Sequence, residues 1–190
     1  MQAITDDEML DYLSRLVDLR CQQKRVEFTS SQSKTITIDL RLPEPHQLVF
    51  VARLAASLLD GERAFGGAFF WVTQWGVWDP NVEAIGFNTL ERYRQGFAEN
   101  RSLTAAPGHL FRHDEFVDSV ACLVQPMLVG WDAYYIPQPP KVRLEFFLFV
   151  SHDSFLDIET RTNESYEKAM EVLKGFSWIK VRDVSPTINS

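Results

Sequence analysis

Two dipeptides carry the side chains from which a metal site or a general base is most readily built, His113-Asp114 and His152-Asp153. Brought together by the fold, two imidazoles and two carboxylates would suit a zinc or manganese ion, or an imidazole oriented by a carboxylate for proton transfer. The local sequence argues for a structural role instead. No Cys-x-x-Cys motif accompanies them, and histidine and aspartate both suit turns and helix starts. Neither a metal nor any other cofactor is therefore expected, and His46 and His109 add nothing to the case. A nucleophilic serine would need a Gly-x-Ser-x-Gly elbow, which is missing. Phe65-Gly66-Gly67-Ala68 precedes a strand and lacks the nearby lysine of a phosphate loop, so its glycines read as a turn or bulge.

The aromatic residues make the stronger case. Trp75-Gly76-Val77-Trp78-Asp79 and Trp131-Asp132-Ala133-Tyr134 each sit at the end of a strongly patterned element. If they converge, they form an aromatic recess rimmed by carboxylates, which would take a ligand or an anchoring side chain from a protein partner. The competing reading is ordinary core with the indole N–H groups satisfied. Arg112, with Arg92, Arg94 and Arg101, flanks the same region and would neutralise an acidic rim or hold an anion. The expected ligand- or partner-binding residues are accordingly Trp75, Trp78, Asp79, Trp131, Asp132, Tyr134, Arg112, His113, His152 and Asp153, and no catalytic residue is assigned. The acidic run Asp153, Asp157, Glu159, Glu164, Glu167 and Glu171 reads first as a solvated face and second as a landing surface for a basic partner.

Composition narrows the field. The 190 residues are 45% hydrophobic and 24% charged, ordinary values for a globular chain able to bury a core without staples. The net charge of −7 is spread evenly, with 10 basic and 13 acidic side chains in residues 1–95 against 9 and 13 in residues 96–190. Without a basic arm there is little counterion release to drive binding to nucleic acid, which is not an expected partner. No apolar run reaches the roughly 18 residues that cross a bilayer, and no basic-then-apolar leader opens the chain. A soluble, cytoplasmic protein is expected, with no membrane partner. Cys21 and Cys122 both fall in stretches that read as helical, where buried thiols are the simplest outcome.

The elements that would position these residues can be read in order. Thr5 and Glu8 have capping-box spacing, and Ile4 and Met9 flank them as a hydrophobic staple. The apolar stripe that follows predicts a helix ending near Gln22. Two strands, 25–29 and 35–42, then read as a hairpin. A helix beginning at Pro45 runs to a glycine cap at Gly61. The aromatic and β-branched stretch 65–78 predicts a strand. Helices are expected from a cap at Asn88 or Thr89 and from about Asp114, the latter kinked or ended by Pro126. The clearest signal is a meander over 131–160, whose middle strand, 142–150, alternates so regularly that it belongs near the centre of a sheet. A last helix capped by Thr162 or Asn163 precedes a short terminal segment around Trp178 to Val181.

The expected fold is a single α+β domain over residues 1–183 with a frayed tail at 184–190. It has about six mostly antiparallel strands, a C-terminal three-stranded meander, and helices largely on one face. With no motif for covalent, metal or phosphate chemistry, the leading functional expectation is a small non-catalytic protein-binding module, such as a regulator, inhibitor or immunity-type protein. Its partner is another protein; a basic one is compatible with the charge, although solubility alone would select the same balance. The alternative is an enzyme or small-ligand-binding domain that uses the aromatic recess with its Asp and His groups. Oligomeric state is not readable from these residues.

Overall fold

Thr5 opens the first helix as its spacing demands. Its hydroxyl accepts the Glu8 N–H at 3.2 Å, and the Glu8 carboxylate accepts the Thr5 N–H at 2.7 Å. The staple residues Ile4 and Met9 are both fully buried. The computed structural model describes residues 1–16, 18–41, 44–59, 65–75, 80–138 and 143–183. Its elements, in chain order, are β1 (Gln2–Ile4), α1 (Asp6–Ser14), β2 (Leu19–Gln22), β3 (Arg25–Phe28), β4 (Lys34–Asp39), α2 (Glu44–Leu58), β5 (Gly67–Gln74), α3 (Pro80–Gln95), β6 (Gly108–Arg112), α4 (Phe116–Val129), β7 (Asp132–Pro137), β8 (Phe146–Ser151), β9 (Phe155–Thr160), α5 (Asn163–Lys174) and β10 (Lys180–Asp183).

Eight strands form one antiparallel sheet in the order β1-β6-β5-β7-β8-β9-β4-β10, and β2 pairs with β3 as a separate ribbon. The protein is a single α+β domain, and the predicted meander is β7-β8-β9. Its middle strand starts later than expected, at Phe146, and sits inside the sheet between β7 and β9. Alternation along β8 sends Phe146, Leu148 and Val150 into the larger core, which α2, α3, α4 and α5 roof. Phe147 goes to a smaller core on the opposite face, beneath α1 and the β2–β3 ribbon. Four helices thus cover one face, and one helix with a hairpin covers part of the other.

Several expected elements are redrawn. The first helix ends at Ser14, and Cys21 lies on a strand. The expected hairpin of 25–29 with 35–42 does not form, because β3 pairs backwards with β2 while β4 pairs with β9 and β10. Helix α3 starts at Pro80, eight residues before the expected cap at Asn88, since proline suits a first turn that needs no N–H there. Pro126 does not end α4. The missing N–H removes one backbone bond, while Leu123, Pro126 and Val129 stay buried together and carry the helix on to a left-handed Gly130. The cap expected at Gly61 and the tail 184–190 lie outside the described residues.

The β2–β3 ribbon turns through Gln23 (φ 50°) and Lys24 (φ 63°), the pair of positive angles that marks a type I′ turn. Neither residue is the asparagine or glycine this turn favours, so both sit in a conformation costing roughly 1–2 kcal/mol in a chiral residue. Replacing them with Asn-Gly is expected to raise unfolding stability by about 1–2 kcal/mol in a denaturant titration.

Candidate functional site

Alternation along β9 decides where a cleft can form. Leu156 and Ile158 point into the helix-covered core, so Asp157 and Glu159 must project from the other face, as Tyr134 does from β7 and Phe149 from β8. The β2–β3 ribbon lies above that face. Its main-chain anchor is the Val26 N–H, which donates to the Tyr134 hydroxyl at 3.3 Å. Between ribbon and sheet lies a cleft of about 490 Å³, walled by Gln23, Lys24, Arg25 and Val26 above, with Tyr134, Phe149, Phe155, Asp157 and Glu159 below and Thr73, Gln74 and Asp132 at one end. That volume is ordinary for a small-molecule or side-chain pocket. A second recess of about 360 Å³, reaching toward Ser30 and Ser33, shares Arg25 and Glu159 as walls.

Asp6 fastens this roof from the side. One of its carboxylate oxygens accepts the Trp71 indole N–H at 2.8 Å, and the other meets Lys24 Nζ at 2.7 Å, tying α1, β5 and the turn together. Arg25 is likewise engaged, with Nε 2.9 Å from Glu27. Both cations that wall the cleft are therefore already paired, with Asp6 and Glu27. The carboxylates inside it have hydroxyl partners only. Thr37 donates to Asp157 at 2.6 Å, and Thr35 donates to Glu159 at 2.9 Å. Among the described residues neither carboxylate has a cation within ion-pair distance. Burial pushes the pKa of both above the usual carboxylate range, against the lowering pull of their threonine hydroxyls. Burial also pushes the Tyr134 phenol up to about 12, so that it stays a neutral hydroxyl.

Asp132 adds a second motif at the end wall. Its Oδ1 accepts the His152 backbone N–H at 2.8 Å and lies 2.7 Å from His152 Nδ1. A carboxylate can only accept, so Nδ1 carries the hydrogen. The three-residue β8–β9 turn, closed by Ser154 at φ 62°, places His152 there, and Asp153 Oδ1 lies 3.6 Å from its Nε2.

The structure brings together only part of the expected site. Asp132, Tyr134, His152 and Asp153 gather at or beside the cleft. Trp131 does not: it stands just ahead of β7, and its ring is fully buried in the helix-side core. There it meets Trp75 edge-on at 4.7 Å and Phe87 at 5.3 Å. Helix α3 comes this close because Gly86 has no Cβ, which would stand 2.5 Å from Val129 Cγ1. The expected aromatic recess of Trp75 and Trp131 with Asp132 is thus split by the sheet itself. Trp78 and Asp79 lie outside the described residues. Arg112 and His113 are exposed at the end of β6, where Arg112 pairs with Asp114 and Glu115 away from the cleft. His109 and His113 stand four apart, but on and just past a strand, where that step does not bring two rings to one ion as it would on a helix. Among the described residues no group of three or more His, Cys, Asp or Glu is placed to hold a metal.

Sequence reasoning missed Asp157 and Glu159 as site residues. They belong to the run that reads first as a solvated acidic face, yet both are half-buried, whereas Asp153 in the β8–β9 turn and Glu164, Glu167 and Glu171 on α5 are exposed. The signal was present in Leu156-Asp157-Ile158-Glu159, whose alternation places both carboxylates on one face; what it lacked was the cover above them. Among the described residues no helix is long and apolar enough to cross a membrane. No protein-family model, curated protein or solved structure matches this chain.

Proposed function

We propose that the chain is a non-catalytic binding module that takes a lysine or arginine side chain of a partner protein into the cleft beneath its β2–β3 ribbon. The observation that carries this is the pair Asp157 and Glu159, half-buried in the cleft and, among the described residues, without a cation at ion-pair distance. A carboxylate withdrawn from water loses hydration that hydroxyl groups replace only in part, and an entering cation restores the balance. Tyr134, Phe149 and Phe155 supply aromatic faces along which the apolar stem of such a side chain packs. The second recess, which shares Arg25 and Glu159 with the first, gives room for the residues flanking the cation in an extended segment. The net charge of −7 favours approach of a basic partner.

The test is calorimetric titration with a hexapeptide of alternating lysine and threonine. Asp157→Asn together with Glu159→Gln is expected to weaken binding on the order of 30-fold or more, equivalent to about 2 kcal/mol. Removing the same charge from the exposed face of α5, by Glu164→Gln with Glu167→Gln, should leave affinity unchanged. Equal losses in the two double variants would reduce the interaction to general charge attraction and sink the proposal. Spermidine serves as a second probe: if it binds as tightly as the peptide, the natural ligand is a free amine rather than a protein.

One observation favours a second reading, that of an enzyme. The imidazole of His152, oriented by Asp132 at the cleft wall, has the geometry of a general base. On that reading, His152→Gln stops turnover of a bound substrate while leaving its affinity intact; a binding module has no turnover to lose.

A further inference from the structure

We propose that the cleft takes up its cation in exchange for a proton held on the Asp157–Glu159 pair, so that pH sets its occupancy. The inference rests on the cation-binding reading above. Its geometric basis is the choice of partner for each carboxylate. Both project from the same face of β9 two residues apart, and each is held by a hydroxyl of β4 rather than by a backbone N–H or a cation. A hydroxyl donates to an ionised carboxylate and accepts from a protonated one, so both states of the pair are satisfied without rearrangement.

Of the groups facing the pair, the Arg25 charge and the threonine hydroxyls favour its ionised form, and burial outweighs them. From the ribbon come Lys24 and Arg25, engaged with Asp6 and Glu27, and Glu27 itself, which is negative. From β7 comes Asp132 with its His152 partner, from β8 the neutral Phe149, and from β4 the neutral Thr35 and Thr37. Arg25, shared with Glu27, offsets the pair's charge only in part, and a proton or an entering cation supplies the rest. The upward displacement of both carboxyl groups by burial agrees with this. When an ammonium group enters, it favours the carboxylate form; the carboxyl O–H bond breaks, its proton passes to solvent, and the O⁻ pairs with the ammonium.

The sign follows. Because these groups hold protons at higher pH than free carboxyl groups, acid competes with the cation, and affinity falls as pH drops through the raised range. The slope reaches about tenfold per pH unit for each proton exchanged. The experiment is titration of the intact chain with the same lysine–threonine hexapeptide in two buffers of different ionisation enthalpy, near pH 5 and again near pH 7.5. Proton release is expected at the lower pH and none at the higher. Peptide binding without proton release near pH 5 overturns the exchange and leaves the cation site standing, whereas no binding at either pH overturns both.

Discussion

Lowering the pH from 7 to 5 is expected to destabilise the protein by on the order of 2 kcal/mol through one residue, His109. This histidine is fully buried on the helix side of β6, with its ring 5.7 Å from Phe70 and 6.4 Å from Phe111. Burial, reinforced by the positive charge of Arg94, brings its pKa down to about 3. The unfolded chain holds an ordinary imidazole with a pKa of about 6.5. Above that value both states are neutral and the residue is indifferent to pH. Below it the unfolded chain binds a proton that the folded one refuses, so stability falls as pH drops from 6.5 toward 3. The carboxylates held low by arginines, Asp39 and Glu99, lose their contribution only below the ordinary carboxylate range, under a pH of about 4. Asp157 and Glu159, displaced upward, act in the opposite direction and gain protons more readily when folded. The interval from pH 6.5 to 5 is therefore the one in which the His109 effect is read. Urea titrations at pH 7 and pH 5 should show the loss in the native chain. In His109→Leu the drop should shrink by about 2 kcal/mol. An equal drop in both proteins would mean that the ring is not held neutral.

Leu148→Ala is expected to cost more, about 2–5 kcal/mol, in the same titration. Leu148 is fully buried at the centre of β8, with Tyr135 of β7 on one side and Ile158 of β9 on the other. Strands pinned by neighbours on both flanks cannot close over the space a missing isobutyl group leaves, so the cavity cost adds to the lost burial. Leu128 on α4, 43% exposed, is the control. Its truncation should change stability by no more than about 0.5 kcal/mol.

How far the molecule can be read from its residues follows from the range of the forces involved. The capping box at Thr5, the meander around β8 and the cap at Thr162 are settled within a few residues, by hydrogen bonds and by period-2 burial. All three were legible. The ribbon was not, because its turn is Gln23-Lys24, where neither residue advertises a positive φ. With the ribbon unseen, β3 was joined to β4, and the cover over Asp157 and Glu159 disappeared from view. Strand β6 escaped for a similar reason: its first residue is Gly108, and Pro107-Gly108 reads as a turn. The recess expected of Trp131 and Asp132 failed on a different count. Trp131 and Asp132 are adjacent in sequence but not in space: the ring of Trp131, just ahead of β7, enters the helix-side core, while Asp132 lies at the cleft. Of the candidate residues, those that gather at the cleft are mainly the ones that share a strand face or a turn with it.

Roof and floor of the cleft are remote along the chain. Val26 and Tyr134, whose hydrogen bond joins them, are 108 positions apart. During synthesis the ribbon and α1 leave the ribosome with nothing to lie on, and the acidic strand that completes the pocket emerges long after them. Until β9 has paired, the floor that carries Asp157 and Glu159 is missing, so the cleft exists only once the sheet is whole.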